Sequence, residues 1–366
     1  MSMSLSVGIV GLPNVGKSTL FNALLRHQQA LAANYPFATI EPNTGIVPVP
    51  DERLEQLAAV VEKEEKLEPG AVPLKAATIE FVDIAGLVKG AAEGEGLGNQ
   101  FLANIRECDL ICHVLRTFKD PDVVVTGKLN PVEDLATVRS ELILKDLETV
   151  EKQEKEIFKS SSSATKGAYE KALKFLNKGK MMSWVEWNDK EWSWLKTLNL
   201  LTAKPEIFVL NASEDQLGKT DVVALAKEIG AKVEDVVVIS AKVESELAVL
   251  SVQDQKDYLK DLGLESSGIE RMAQAAYRKL NLISFLTAGV KEIRAWTVKK
   301  GTAAVEAAGV IHSDFEANFI KAKVIFWEEF VSLGGWKRAA QAGKVRQEGR
   351  KYQVSDGDVI EFMVGK

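Results

Sequence analysis

The chain has 366 residues, of which 46% are hydrophobic and 27% are charged, as expected for a soluble globular protein with two or three domains. The formal net charge of −6 excludes a globally basic nucleic-acid binder, so no DNA partner is expected and any RNA contact would need a local basic patch. No segment approaches the roughly 18 apolar residues that cross a bilayer, and no signal-peptide pattern is present; we expect a cytoplasmic protein without a membrane partner.

A phosphate-binding loop follows the first predicted strand. The apolar run Leu5–Val10 predicts a buried strand, Gly11–Ser18 spells Gly-x4-Gly-Lys-Ser, and Ser18–Leu25 predicts a helix. Backbone N–H groups of such a loop and the helix N-terminus bind phosphates. We therefore expect Lys17 to reach the β and γ phosphates of a nucleoside triphosphate and the Ser18 hydroxyl to bind Mg²⁺. The nucleotide-binding residues predicted here are Asn14, Val15, Gly16, Lys17, Ser18 and Thr19.

A first nucleotide-sensing switch is predicted in the loop at residues 35–43, which lies at a suitable distance after the phosphate loop. Thr39 is the predicted second Mg²⁺ ligand, and Thr44 is the alternative.

A second switch is predicted where the strand Phe81–Asp83 runs into Asp-x-x-Gly. Asp83 would hold Mg²⁺ through a water molecule, and the Gly86 backbone N–H would bind the γ-phosphate and be released when that phosphate leaves. In Ras-like enzymes the next residue is a glutamine that orients the attacking water. Here it is Leu87, which has no polar group, so we expect slow intrinsic hydrolysis and another source of water positioning.

Two residues are candidates for that missing role. His113 lies in the apolar strand Leu110–Arg116, where a hydrogen-bonded core histidine is the commoner outcome and a catalytic one is the hypothesis. Asn14 is the alternative, because an asparagine in this loop could hold K⁺, whose charge would act as an arginine finger does elsewhere. The two cysteines, Cys108 and Cys112, are too few for a disulfide framework and are expected to be buried apolar residues.

A helical hairpin is predicted as an insertion in the sheet domain. Pro131–Lys159 predicts one long helix, residues 160–163 break it, and a lysine-rich helical stretch follows to about Lys178. The second arm carries five lysines and one acid, Glu170, which favours an anionic partner there. The lysines are Lys166, Lys171, Lys174, Lys178 and Lys180. Packing against the sheet domain is expected for the tryptophans at 184, 187, 192 and 194, with base stacking as the minority alternative.

The base pocket is predicted after the strand Ile207–Asn211, and a further strand is expected at Val236–Ala241. Guanine-specific proteins have Asn-Lys-x-Asp at this place, whereas this chain has Asn-Ala-Ser-Glu. Loss of the aspartate removes hydrogen bonds that can be worth roughly 10⁴ in discrimination, so adenine is favoured. The predicted pocket residues are Asn211, Ala212, Glu214, Ser240 and Ala241, and Lys242 follows them at the closing edge.

A third unit begins after Leu280, with strands predicted at Ile293–Val298 and Val359–Val364. Its segment Trp336–Lys351 holds six basic residues and one acid, which predicts either an anion-binding patch or an ordinary solvated surface.

These motifs together are similar to those of the YchF/Obg-like ATPase family, within the Obg group of translation-factor-class NTPases. The resemblance covers nearly the whole chain and rests on the phosphate loop, Asn-Tyr-Pro-Phe-x-Thr-Ile-Glu-Pro-Asn at 34–43, Asp-Ile-Ala-Gly-Leu-Val-Lys-Gly-Ala at 83–91, Gly-Glu-Gly-Leu-Gly-Asn-Gln-Phe-Leu at 94–102, Asn-x-x-Glu at 211–214 and Ala-Gly-Val-Ile-His-Ser-Asp-Phe-Glu at 308–316. The last motif resembles the C-terminal TGS domain. Ala38 stands where members often have a cysteine, which excludes thiol control through that position.

The resemblance implies an α/β fold: a Ras-like P-loop NTPase domain at 1–128 and 203–280, an inserted helical hairpin at 129–202, and a ubiquitin-like β-grasp (TGS) domain at 281–366. It also implies a monomeric ATPase that needs Mg²⁺ and associates with the ribosome, either its large subunit or the whole particle, and with ribosomal RNA. A GTPase of the same fold is one alternative. An RNA or protein adaptor that ATP merely stabilises is the other.

Overall fold

The computed structural model describes residues 5–32, 44–83, 104–118, 130–160 and 162–365. By internal contacts the chain divides into two compact units. The first unit comprises Leu5–Ile46 and Glu80–Ala276, and the second includes Val47–Ile79 and Tyr277–Lys366.

The elements are numbered in chain order. The strands are β1 (Ser6–Val10), β2 (Thr44–Pro48), β3 (Leu74–Lys75), β4 (Thr78–Asp83), β5 (Leu110–Arg116), β6 (Glu206–Asn211), β7 (Val236–Ile239), β8 (Leu282–Ala288), β9 (Ile293–Lys299), β10 (Phe319–Phe326), β11 (Arg346–Glu348) and β12 (Asp358–Val364). The helices are α1 (Lys17–Ala32), α2 (Arg53–Glu65), α3 (Pro131–Glu151), α4 (Glu154–Ser160), α5 (Ser163–Leu176), α6 (Asp189–Thr197), α7 (Val222–Ile229), α8 (Ala241–Leu247), α9 (Val252–Asp261), α10 (Gly268–Lys279), α11 (Ala304–Ile311), α12 (Ser313–Ala317), α13 (Trp327–Leu333) and α14 (Trp336–Gln341).

The first sheet has the order β2-β4-β1-β5-β6-β7, and β1 pairs in parallel with both β4 and β5. Strands β5, β6 and β7 continue the parallel arrangement. Every residue of β5 and β6 is buried, which explains why these strands are continuous apolar runs with few polar interruptions. Because parallel strands end at one edge, this sheet brings the carboxyl ends of β1, β4, β5, β6 and β7 to the same edge.

The insertion is a set of helices around its own core. Asn130 caps α3 by accepting from two backbone N–H groups, and Pro131 occupies the first turn, so the predicted start of this helix is correct. The predicted single helix over Pro131–Lys159 is wrong, because a turn at residues 152–153 separates α3 from α4. Neither turn residue is Gly or Pro, so the local sequence carries no signal for this break.

The tryptophans of the insertion differ from one another in exposure. Trp187, Trp192 and Trp194 pack against the insertion's own buried core, which Tyr169, Leu176 and Leu195 help to form. The expected packing against the sheet domain is thereby corrected to packing within the insertion. Trp184 is 52% exposed. Packing therefore accounts for three of the four.

The second unit contains a mixed sheet of order β11-β10-β12-β8-β9-β3. Strand β12 pairs in parallel with β8, while β8–β9, β10–β12 and β10–β11 are antiparallel. The two-residue strand β3 adds to the edge through Leu74 opposite Ile293. The predicted fold class is thereby confirmed, whereas the predicted domain bounds stay a prediction. The segment 47–79 groups with the C-terminal residues in this structure.

Candidate nucleotide-binding site

The phosphate loop joins the end of β1 to the start of α1, in the predicted strand–loop–helix order. Asn14 and Gly16 have positive φ values of 63° and 96°, a region that Gly and, among other residues, Asn tolerate. The Leu20 N–H donates to the Gly16 carbonyl at 3.0 Å, which closes the first turn of α1. The first N–H groups of α1 have no carbonyl partner within the helix and are suited to an anion.

A buried asparagine holds two loops of the site together. Asn211, which is 3% exposed, donates from Nδ2 to the Val15 carbonyl at 2.9 Å and accepts at Oδ1 from the Ala241 N–H at 3.0 Å. A Cβ at Gly16 would lie 2.1 Å from this Nδ2, so only glycine permits the approach. Gly16 therefore has two roles: it allows the loop to be bound by Asn211 at the end of β6, and it adopts the positive φ of the phosphate loop.

Lys17 is the cation of the loop. It is buried, and its Nζ donates to the Leu12 carbonyl at 2.6 Å. Burial lowers the Lys17 pKa to about 8, against the opposing effect of the Asp83 carboxylate. Asp83, at the end of β4, thus acts electrostatically on Lys17, and its predicted role at Mg²⁺ stays a prediction.

One pocket of about 670 Å³ brings the two ends of the predicted site together. The predicted residues that line it are Asn14, Gly16, Lys17, Ser18, Thr19, Asn211, Ala212, Glu214, Ser240, Ala241 and Lys242. Val15 contributes the carbonyl that Asn211 binds, and Asp83 acts on the pocket through Lys17.

Some predicted residues cannot be placed in this pocket. Thr39, the predicted Mg²⁺ ligand, and the switch residues Gly86 and Leu87 lie outside the described residues. Thr44, the alternative ligand, is the first residue of β2.

At the base end of the pocket, part of the Asn211 amide is already engaged within the protein. The sequence predicts that Asn211 reads adenine, but one of its N–H groups and one acceptor position of Oδ1 are already used by Val15 and Ala241. Glu214 is exposed at the start of a short 3-10 turn and lines the pocket. The second N–H of Asn211 and the exposed Glu214 side chain are therefore side-chain groups available at this end of the pocket.

Sequence reasoning missed three pocket residues: Phe118, Ser213 and Asp215. Ser213 and Asp215 adjoin the predicted Glu214. Phe118 lies two residues beyond β5 and offers an aromatic face. The rule that parallel strands end at one edge could have found it, since β5 lies between β1 and β6.

His113 is not brought to the pocket. Its ring is fully buried, stacks on Phe208 at 5.5 Å between ring centroids, and places Nε2 2.7 Å from Glu206 Oε1. Arg139 binds both oxygens of Glu206, at 3.1 and 2.9 Å. Burial opposes the ionisation of Glu206, but the bonds from His113 and Arg139 outweigh it and lower its pKa to about 2. These contacts favour the structural alternative for His113.

The C-terminal basic segment is partly neutralised. Lys337 pairs with Glu65 at 2.8 Å, Lys344 with Glu329 at 3.0 Å, and Arg346 with Glu348 at 3.2 Å. Less free charge is therefore available there than the sequence indicates.

Both cysteines are buried and unpaired, as expected. Burial raises the Cys108 pKa to about 11 and raises that of Cys112 further. Among the helices that the structure describes, none combines the length and apolar character needed to cross a membrane.

Comparisons with known proteins match both halves of the chain. Residues 6–160 match a family described as 50S ribosome-binding GTPase, and residues 282–365 match a C-terminal YchF GTPase family described as a protein of unknown function. Proteins named ribosome-binding ATPase YchF are 45% identical in Bacillus subtilis and 48% identical in Haemophilus influenzae, with 98% of this chain and 99% of each relative covered.

A solved structure shares the fold. The Schizosaccharomyces pombe YchF GTPase superposes with a TM-score of 0.86 at 33% identity, with 98% of each chain covered. Because the superposition covers 98% of this chain, both compact units have counterparts in that structure.

Proposed function

This chain belongs to the YchF family, and we propose that it binds ATP, hydrolyses it to ADP and phosphate, and associates with ribosomes as a nucleotide-dependent switch. The observation that carries the proposal is the pocket in which Lys17 and Ser18 of the phosphate loop meet Asn211 and Glu214 of the base end. The relatives' names, which specify ribosome binding and ATPase activity, support it.

ATP is the proposed substrate because the pocket has Ala212 and Glu214 where a guanine-specific site has lysine and aspartate. The second candidate is a GTPase, which the name of the S. pombe protein, a YchF GTPase, favours. Calorimetric titration with ATP, ADP and GTP separates the two, with Lys17→Ala as the control for phosphate-dependent binding. The double variant Ala212→Lys/Glu214→Asp should gain GTP affinity and lose ATP affinity. Unchanged affinities for both nucleotides would refute the assignment of the base end.

Mg²⁺ is the proposed cofactor. Ser18 lines the pocket, and Asp83 acts electrostatically on Lys17 of the phosphate loop, which supports the Ser18 hydroxyl and the Asp83 carboxylate as ligands. Mg²⁺ typically takes one or two such protein ligands and completes its shell with phosphate oxygens and water. The ion would neutralise charge between the β and γ phosphates. Thr39 remains the proposed further ligand.

Positioning of the hydrolytic water is assigned to K⁺ at Asn14 in preference to His113. Asn14 lines the nucleotide pocket, whereas His113 is buried against Glu206 and Phe208 and does not line it. With Leu87 in place of the usual glutamine, we expect slow turnover without a partner.

The proposed partners are the ribosome, as its large subunit or the whole particle, and ribosomal RNA, for a cytoplasmic protein that acts as a monomer. The matched family description and the relatives' names support the ribosome itself. The adaptor alternative is tested by pelleting with ribosomes in ATP, in ADP and with Lys17→Ala. Equal pelleting in all three conditions would favour the adaptor.

A further inference from the structure

A groove of about 500 Å³ lies outside the nucleotide pocket, along one side of α3. Its lining comes from α3, the end of α5 and the turn after it, a 3-10 turn at Trp184, and the end of α7. Apolar side chains dominate this lining: Val132, Leu135, Ala136, Ile143, Leu144, Leu147, Leu176, Trp184 and Ile229. From Val132 to Leu147 the groove follows α3 for about 22 Å at the usual helical rise.

The edge of the groove carries an aromatic side chain in a fixed position. Trp184 is 52% exposed, and the Arg139 guanidinium lies 4.8 Å from its ring centroid. Arg139 is itself held by both oxygens of Glu206 and by the Ile229 carbonyl at 3.2 Å. An exposed tryptophan that is already ordered binds a partner with less loss of conformational entropy.

A second exposed apolar side chain lies in the same groove. Leu144 is 53% exposed and projects from α3 among the lining residues. Isolated exposed leucines are ordinary, but an exposed leucine and an exposed tryptophan in one apolar groove are typical of a protein-binding surface.

The charge beside the groove is positive. Lys178 and Lys180 flank Gly179, a lining residue, and Lys174 precedes them by one helical turn. All three lysines are exposed, and none forms an ion pair with any described residue. Glu228 is the one acid among the described lining residues. A partner with carboxylates beside an apolar face would satisfy both features.

We propose that this groove binds an amphipathic helix with acidic residues along one side, presented by a ribosomal protein. The inference rests on the proposed ribosome association and specifies a protein contact within it. A helix of about four turns matches the length of the groove, and its apolar side chains would lie on Leu144, Leu147 and Trp184, three of the apolar lining residues with exposed surface. RNA fits less well, because base stacking needs several aromatic platforms and Trp184 is the one aromatic residue in the described lining.

Co-sedimentation with purified ribosomes tests the surface in the full-length protein. Trp184→Ala and the pair Lys178→Glu/Lys180→Glu should each weaken association about tenfold or more. The matched controls are Phe158→Ala, an exposed aromatic of the insertion outside the groove, and Lys155→Glu/Lys190→Glu, with the same charge change. ATP hydrolysis without ribosomes should be unchanged in all four. If the groove variants pellet like wild type, the groove is not a ribosome-binding surface. If wild type itself fails to pellet, the proposed ribosome association is refuted as well.

Photo-cross-linking identifies the occupant. A benzophenone amino acid in place of Leu144 should join the protein to a ribosomal protein, at an amphipathic helix with acidic residues, in a product that survives ribonuclease and is lost on proteolysis. The same group in place of Phe158 should give no such product. A cross-link to RNA, a cross-link to a second copy of this chain, or none while the protein still pellets would overturn the assignment.

Discussion

Replacement of Asn211 by alanine tests whether its two loop contacts support nucleotide binding. The change removes the N–H group that donates to the Val15 carbonyl and the oxygen that accepts from the Ala241 N–H. These backbone groups flank the phosphate and base ends of the pocket, so their release frees both loops. Nucleotide would then have to order loops that are already ordered in the wild type, and its affinity should fall.

The size of the effect follows from the two broken bonds. A buried polar group left without a partner costs about 1–3 kcal/mol, which gives roughly 2–6 kcal/mol for both. Because Asn211 adjoins an open pocket, water can reach the freed groups, and we expect the lower end of this range, about 2 kcal/mol. That energy corresponds to a rise of roughly 30-fold in the ATP Kd.

Isothermal titration with ATP measures the change, and Asn188→Ala is the matched control. Asn188 also accepts from two backbone N–H groups, at the start of α6, but it does not line the nucleotide pocket. The control should bind ATP like wild type. An Asn211→Ala protein that retains its folded circular-dichroism spectrum and an unchanged ATP Kd would refute the reasoning.

Further predictions concern pH, the monovalent cation and the basic segment. Burial raises the Glu244 pKa from 4.5 to about 7, so its contribution to the free energy of unfolding is greatest below pH 4.5. Up to about 3 kcal/mol of that free energy is lost as pH rises from 4.5 through 7. The melting temperature should therefore fall between pH 5 and pH 8 in wild type, and this decrease should be absent in Glu244→Gln. Hydrolysis should slow when Na⁺ replaces K⁺ and should not slow in Leu87→Gln; equal rates in the two salts would discard the cation at Asn14. Charge reversal of Lys337, Arg338, Lys344 and Arg346 should weaken ribosome pelleting at constant ATP affinity, and pelleting of the unmodified protein should fall steeply as salt rises. A variant that pellets like wild type, with no effect of salt, would identify an ordinary solvated surface.

Features set by short stretches of chain could be predicted from the sequence. The phosphate loop is such a case, because Gly11–Ser18 carries its own glycines, lysine and serine between an apolar strand and a helix. The capped start of α3 is another, since Asn130 and Pro131 are adjacent. In both places the residues that determine the structure are neighbours in sequence.

Features set by distant residues could not be predicted. The network around His113 needs Glu206 from β6 and Arg139 from α3, and no local pattern indicates that these three side chains meet. Strand β3 is two residues long and pairs with Ile293, more than two hundred positions away, so it has no periodicity to detect. The grouping of segment 47–79 with the C-terminal residues has no local signal for the same reason.

The geometry also changes how nucleotide choice has to be explained. If Asn211 had both amide atoms free, it could select adenine by itself through N6 and N7. One N–H and one acceptor position of that amide are engaged by Val15 and Ala241, and the N–H that remains can donate to N7, which both purines have. We therefore expect discrimination to come from backbone groups near Ala212 and from Glu214. Backbone donors and acceptors are the same for any residue at 212. Side-chain discrimination therefore rests on Glu214, and substituting it alone should change the ratio of ATP to GTP affinity more than substituting Ala212 alone.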